Sequence, residues 1–266
     1  MGAAATMTRS VRQPRTVALY RACIVLALAV SGCGSGGSEG NSGNAGEAKN
    51  NMGIAKRLDT TAAETAKVAT NSVKKPVVLF FGTSLTAGYG LDPSQAFPSL
   101  IESKATAEGV PITAVNAGLS GETTAGAARR IDWVLRTPAD LVVIEAGAND
   151  ALRGLSPDAA KTNLEQVIAA VRRKQPAARI VLVQMEAPPN YGSAYTQRFR
   201  SIYTDIARKE NIPLIPFLLT GVAGIPRYNQ ADGVHPNLAG ERIVADNLWR
   251  ALKPIVSQLD RGSKSG

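Results

Sequence analysis

The sequence predicts an α/β protein, a three-layer α/β/α domain around a parallel sheet of five strands. Three observations lead there. Short apolar runs alternate with amphipathic segments of helical length, the order that builds βαβ units and a parallel sheet with helices on both faces. The segment carrying this pattern, about 190 residues from 74 to 260, is long enough for one hydrophobic core and suits a single domain. It shows no internal repeat and holds no cysteine, since the two cysteines are Cys23 and Cys33, so disulfides, a catalytic thiol and Cys-ligated zinc are excluded from it.

The elements follow in order. PVVLFF (76–81) reads as a buried strand and SQAFPSLIESKATAEG (94–109) as a helix. ITAVNAG (112–118) is the second strand and TTAGAARRIDWVLR (123–136) the second helix. ADLVVIEAG (139–147) is the third strand. The helix after it, 157–174, places Leu164, Val167, Ile168 and Val171 on one face. RIVLVQME (179–186) reads as the fourth strand, 193–211 as a helix, IPLIPF (212–217) as the fifth strand, and 237–256 as the closing helix. In an open parallel sheet, ligands bind beyond the carboxyl ends of the strands. Residues just after strands are therefore the ones to suspect.

The chain ahead of this domain has a different composition. Residues 1–21 carry four arginines and no acid, and ACIVLALAV (22–30) is a run of nine apolar residues. A membrane span needs roughly 20, so the pattern predicts a secretory signal over 1–32. VSGC (30–33) resembles the lipobox of bacterial lipoproteins, which implies cleavage before Cys33 and lipid attachment to it. An ordinary signal peptide with a chance cysteine is the alternative. Residues 33–73 begin as a Gly/Ser/Asn-rich stretch with little to bury, a flexible tether, and 54–69 reads as a loose helix. Residues 261–266 form a polar tail. The expected location is the cell envelope, on the periplasmic side of a membrane. Of the formal charge of +9, the leader supplies +4, leaving +5 (9 − 4). That mildly basic balance, without Lys/Arg runs interleaved with aromatics, excludes a nucleic-acid partner.

Four short blocks follow strands. Ser84 comes after the first strand, in GTSL (82–85), and SGET (120–123), with Gly121, follows the second. GAND (147–150), with Asn149 and Asp150, follows the third, and DGVHP (232–236) follows the fifth after a longer loop. His235 is the only histidine in the chain. Asp232 lies three residues before it across a glycine, so one turn can bring carboxylate to imidazole. Pro236 suits the first position of the last helix. An aspartate fixing the imidazole tautomer while the other ring nitrogen takes a serine proton is the logic of a hydrolytic triad. The Ser84 N–H, the Gly121 N–H and the Asn149 amide are candidate donors to a developing oxyanion. Taken singly, Gly121 could be only a turn glycine, Asn149 a helix cap and Asp232-Gly233 a turn signal.

Together GTSL, SGET, GAND and DGVHP resemble the four sequence blocks of the SGNH (GDSL-type) hydrolase family, over nearly the whole domain from 77 to about 252. VIEAGANDALRG, and PPNYG, RFRSIYTDIA and IPLIPF after it, are similar to its bacterial arylesterase and lysophospholipase/thioesterase branch. The resemblance implies a flavodoxin-like sheet, Ser84 as nucleophile, Gly121 and Asn149 as oxyanion donors, and Asp232 with His235 as dyad partners. It also implies a small-molecule or lipid ester as substrate, through an acyl-enzyme. One position departs from the pattern: Thr83 stands where the family usually has aspartate. That aspartate is not the triad acid, so the local loop geometry, rather than the chemistry, is what the change puts in question.

Other readings fit less well. There is no GxxxxGK run for phosphate, Ser84 does not stand in a GxSxG elbow, and one histidine in a domain without cysteine cannot make a typical zinc site, so neither metal nor cofactor is expected. The rival from another class is a catalytically inactive module of the same fold that binds carbohydrate or lipid. The apolar loop FLLTGVAGIPRYNQ (217–230) either lines an acyl or aryl pocket or covers the end of the sheet. A monomer is the expected state.

Overall fold

The computed structural model describes residues 75–263, with side chains to 259. The leader, Cys33, the tether and the loose helix at 54–69 lie outside the described residues. So does the end of the polar tail.

Five parallel strands form one sheet in the order β2-β1-β3-β4-β5. They are β1 (Val77–Gly82), β2 (Thr113–Gly118), β3 (Leu141–Ile144), β4 (Arg179–Val183) and β5 (Leu214–Ile215). The register pairs Val78 with Ala114 on one side of β1 and with Leu141 on the other. All four residues of β3 and five of the six in β1 are buried. Central parallel strands are covered on both faces, which is why VVLFF and LVVI are continuous apolar runs rather than alternating ones. The chain reverses its direction of travel across the sheet between β1 and β3, which makes their carboxyl ends the switch point where a ligand cleft opens.

Helices cover both faces. α2 (Phe97–Ala107) packs on α7 (Leu238–Ser263), while α3 (Thr124–Val134), α5 (Pro157–Lys174) and α6 (Ser193–Glu210) pack side by side. The stripe Leu164, Val167, Ile168 and Val171 is fully buried, as its spacing predicts. Two helices not anticipated from the sequence, α1 (Ser84–Ala87) and α4 (Ala148–Leu152), are single turns placed directly after β1 and β3.

Several boundaries differ from the sequence expectation: β3 spans Leu141–Ile144 rather than 139–147, and the last helix runs on to Ser263, past the expected end at 256 and into the expected tail. β4 ends at Val183, not Glu186, and β5 is two residues long, not six. The apolar character continues past both ladders because Met185 and Phe217 line a cleft rather than pair in the sheet. The last helix starts at Leu238, so Pro236 is not its first residue. Asn237 caps it instead, its Oδ1 accepting from the N–H groups of Ala239 and Gly240 at 3.0 and 3.1 Å. Pro236 lies in an isolated bridge with Asn229.

Candidate active site

The first wall of the site is the turn from β1 into α1. Thr83 is the N-cap of α1, and Gly88, in the left-handed region at φ 69°, ends it. The turn is tight enough that a Cβ at Gly82 would collide with Thr86 Oγ1 and the Glu145 carboxyl. Ser84 is the first residue of α1, so its N–H is among those a helix leaves without an intrahelical acceptor.

The loop before α7 brings Asp232 and His235 to this turn. Asp232 Oδ1 accepts from the backbone N–H groups of Val234 (2.9 Å) and His235 (3.0 Å), folding the segment back on itself with Gly233 at φ 69°. Asp232 Oδ2 lies 2.6 Å from His235 Nδ1, and His235 Nε2 lies 2.9 Å from Ser84 Oγ. The hydrogen bond from His235, reinforced by the two backbone N–H groups, pulls the Asp232 carboxyl down to about 2. An ionised carboxylate only accepts, so Nδ1 carries the imidazole proton and the lone pair of Nε2 faces the serine hydroxyl. Asp232 keeps 40% of its side chain exposed, His235 18%.

Two further contacts hold the histidine loop. Gln230 donates from Nε2 to the carbonyls of Tyr89 (2.6 Å) and Pro236 (2.9 Å), tying the loop to the turn after α1. The half-exposed Tyr89 ring lies 4.6 Å from the His235 ring, centroid to centroid. Neither contact is marked in the sequence by spacing or motif.

The opposite wall comes from the blocks after β2 and β3. Gly121 adopts φ 78°, a conformation glycine takes without strain. No described residue accepts from its N–H, while its carbonyl accepts from Arg153 at 3.0 Å. Asn149 donates one amide hydrogen from Nδ2 to the Glu122 carbonyl at 3.0 Å, which orients the amide and leaves its second N–H for a ligand. Asp150 is buried and accepts from the Thr124 N–H (2.8 Å) and hydroxyl (2.6 Å), locking α4 to the start of α3. Beneath the loop, Glu122 pairs bidentately with Arg130 at 2.8 and 2.6 Å, and the guanidinium stacks 4.5 Å over the Phe81 ring. Gly147 permits the turn from β3 into α4: its φ is 111°, and a Cβ there would strike the Tyr203 hydroxyl. Tyr203 in turn donates to the Ala146 carbonyl at 2.8 Å.

A cleft of about 490 Å³ opens beside Ser84, Asn149 and His235. Leu152, Met185, Phe217, Leu219 and Val234 give it a largely apolar lining. Its size falls in the range of small-molecule sites. Both readings of the 217–230 loop are realised: Phe217, Leu219, Ala223 and Gly224 face the cleft, while Leu218 and Val222 are buried in the core.

Ser84, Asn149, Asp232 and His235 thus converge on one end of the cleft, with Gly121 on the adjoining loop. Sequence reasoning missed Glu145. This carboxyl, 1% exposed, sits under the β1–α1 turn and is pushed up to about 7 by burial, against the hydrogen bonds it receives from Thr83 and Thr86. The available signal was an acid closing the run LVVIE, a place from which it cannot reach water.

Residues 80–243 match the GDSL-like Lipase/Acylhydrolase family. The chain is 39% identical over 191 residues to "Esterase TesA" of Pseudomonas aeruginosa, covering 70% of this chain and 92% of that protein. It is 34% identical over 181 residues to "Thioesterase 1/protease 1/lysophospholipase L1" of Escherichia coli K12, covering 68% and 85%. Among solved structures it is similar to the psychrotrophic esterase EstA of Pseudoalteromonas sp., in a form inhibited by monoethylphosphonate. The TM-score is 0.65 and the identity 33%, covering 69% of this chain and 100% of that one.

Proposed function

This chain belongs to the GDSL-like lipase/acylhydrolase family and is an ester hydrolase, and we propose that it cleaves aryl and acyl esters by a Ser84–His235–Asp232 triad. The observation that carries this reading is the unbroken hydrogen-bond chain from Asp232 through His235 to Ser84 Oγ at the mouth of an apolar cleft.

In this mechanism Ser84 Oγ attacks the ester carbonyl carbon while its proton passes to His235 Nε2. The carbonyl π pair moves onto oxygen, where the Ser84 N–H, the Gly121 N–H and the Asn149 amide receive it. Asp232 stabilises the imidazolium that forms. Collapse breaks the ester C–O bond, and the alcohol leaves with the proton from His235. Water then attacks the acyl-serine, giving a proton to the same nitrogen; collapse breaks the bond from the acyl carbon to Ser84 Oγ, His235 returns that proton to Oγ, and the acid is released. No metal or cofactor enters. The acyl or aryl group rests against Leu152, Met185, Phe217 and Leu219, a lining that suits lysophospholipid and thioester acyl chains as well as simple esters.

The leader belongs to the same reading. Lipidation of Cys33 behind a cleaved signal would tether the hydrolase at the envelope, on the periplasmic side of a membrane, and Cys33→Ser should release it into the soluble fraction with its esterase activity intact. Continued membrane association of that variant would end the lipoprotein proposal. For the catalytic domain, p-nitrophenyl esters of increasing chain length, beside an acyl-CoA and a lysophospholipid, test the substrate range. Activity on at least one ester, lost in Ser84→Ala, is expected. A full panel without turnover would instead favour an inert binding module.

A further inference from the structure

The nucleophile turn rests on a buried carboxyl that the triad does not use. Glu145 is the residue after β3, and its side chain crosses to the neighbouring β1–α1 turn rather than to solvent. Its Oε2 accepts from the Thr83 N–H at 2.8 Å and lies 2.9 Å from the Thr86 hydroxyl. The Thr83 hydroxyl lies 3.0 Å from both carboxyl oxygens. Thr83 and Thr86 are themselves 1% exposed, so no water competes for these bonds. One carboxyl therefore grips the residue before Ser84 and the residue one position past Leu85. The missing Cβ of Gly82 is what lets it approach that closely.

We propose that Glu145 is the positioning residue of the nucleophile: it clamps the chain on both sides of Ser84, and its protonation state sets the hydrogen-bond arrangement of the turn. The proposal rests on the reading of Ser84 as nucleophile. When ionised, Glu145 accepts from all three donors. When protonated, it becomes a donor to the Thr83 hydroxyl, which must then turn its own proton elsewhere. The two arrangements differ at the residue that precedes Ser84, so they differ in how the turn presents Ser84.

The departure at Thr83 takes on a meaning here. An aspartate at 83 would place a second carboxyl against Glu145, and the two would share a proton. Threonine supplies a hydroxyl that can accept or donate, leaving Glu145 to titrate as a single acid. The ionisable groups that bear on it are few. Its own charge raises Glu241 on α7 and Tyr203 on α6 through the field. Arg130 is paired with Glu122 and touches this turn only at the Gly82 carbonyl, at 3.5 Å. Burial shifts Glu145 up to about 7, inside the range in which a general-base histidine is assayed.

The test compares wild type, Glu145→Ala, Glu145→Gln and Ser84→Ala between pH 5 and 9. Turnover of p-nitrophenyl acetate and the rate of Ser84 phosphonylation by a p-nitrophenyl phosphonate are both measured. Loss of the clamp displaces the nucleophile, so Glu145→Ala should lose about 10–100-fold in kcat with KM little changed. Glutamine can still accept from the Thr83 N–H and donate to a hydroxyl, so Glu145→Gln should recover most of that loss. Its kcat/KM–pH profile should lack one ionisation that wild type shows. If Glu145→Ala does not fold, the Gln profile decides alone. Wild-type kinetics in Glu145→Ala, or a Gln profile of the same shape as wild type, would overturn the proposal. Activity retained by Ser84→Ala would show instead that the underlying reading of the nucleophile is wrong.

Discussion

Asp232→Asn removes the charge from the proposed triad acid while keeping its shape. In the structure Asp232 Oδ1 holds the backbone N–H groups of Val234 and His235, and Oδ2 faces His235 Nδ1 at 2.6 Å. An asparagine keeps the backbone bonds through its carbonyl oxygen, which leaves its NH₂ facing Nδ1. Nδ1 must then accept, so the imidazole proton moves to Nε2, and Nε2 can no longer take the proton of Ser84. Where the triad acid is buried, as in chymotrypsin-type proteases, this change costs about 10⁴ in kcat. The Asp232 side chain is 40% exposed, so solvent screens its attraction for the imidazolium and water can take over part of its role. The expected loss is accordingly smaller, about 10³ in kcat, or roughly 4 kcal/mol of barrier. Steady-state kinetics on a p-nitrophenyl ester measure it, with unchanged circular dichroism as the folding control. Because wild-type Asp232 is held at about 2, it stays ionised throughout the assay range and the deficit should not be recovered by raising pH. A variant within tenfold of wild type would refute the tautomer argument.

Further outcomes follow from the same geometry. Asn149→Ala should lower kcat by about 10²–10³ with a smaller change in KM; a loss confined to KM would make Asn149 a substrate contact instead. Glu241 is buried in α7, where it accepts from the Phe97 N–H at 2.8 Å, and desolvation pushes it up to about 8. The folded protein therefore holds a proton that the unfolded chain gives up near the ordinary 4.5. That contribution to stability is complete below about pH 4.5 and is lost as pH rises towards 8, at about 1.36 kcal/mol per pH unit. Urea unfolding of Glu241→Gln should show a gain over wild type that grows across this window, and a pH-independent difference would count against it. Thr83→Asp should destabilise the protein more steeply than wild type as pH rises, because two carboxyls then contend for one proton; a parallel melting profile would contradict this.

The alternation of strands and helices was legible because central parallel strands must be apolar on both faces, and LVVI and VVLFF leave little choice. Strand ends were not. Met185 and Phe217 are as apolar as the strands they follow, and only the ladder shows that they line a cleft. The start of the last helix was misplaced because Pro236 suits a first turn, whereas the Asn237 side chain supplies the cap. The convergence of Ser84, Asp232 and His235 was readable because their residue types and order constrain one another, and a single histidine leaves no competitor. Glu145 was hidden for the opposite reason. Its partners lie 59 and 62 positions away in sequence, and only the pairing of β1 with β3 brings them together. The departure at Thr83 could be seen in the sequence, but the carboxyl it answers to could not.

The central claim, that Ser84 is the nucleophile activated by His235, is tested most directly by covalent trapping. A p-nitrophenyl alkylphosphonate should transfer its phosphonyl group to the Ser84 oxygen and expel p-nitrophenolate, leaving a stable mimic of the tetrahedral intermediate. Intact-mass and peptide analysis of wild type should find one adduct per chain, on the peptide holding Ser84, with esterase activity falling in proportion. Ser84→Ala should take up no adduct, and His235→Ala should be labelled far more slowly, since no second histidine can replace the base. An adduct on another residue with Ser84 unmodified, or full turnover by Ser84→Ala, would contradict the account.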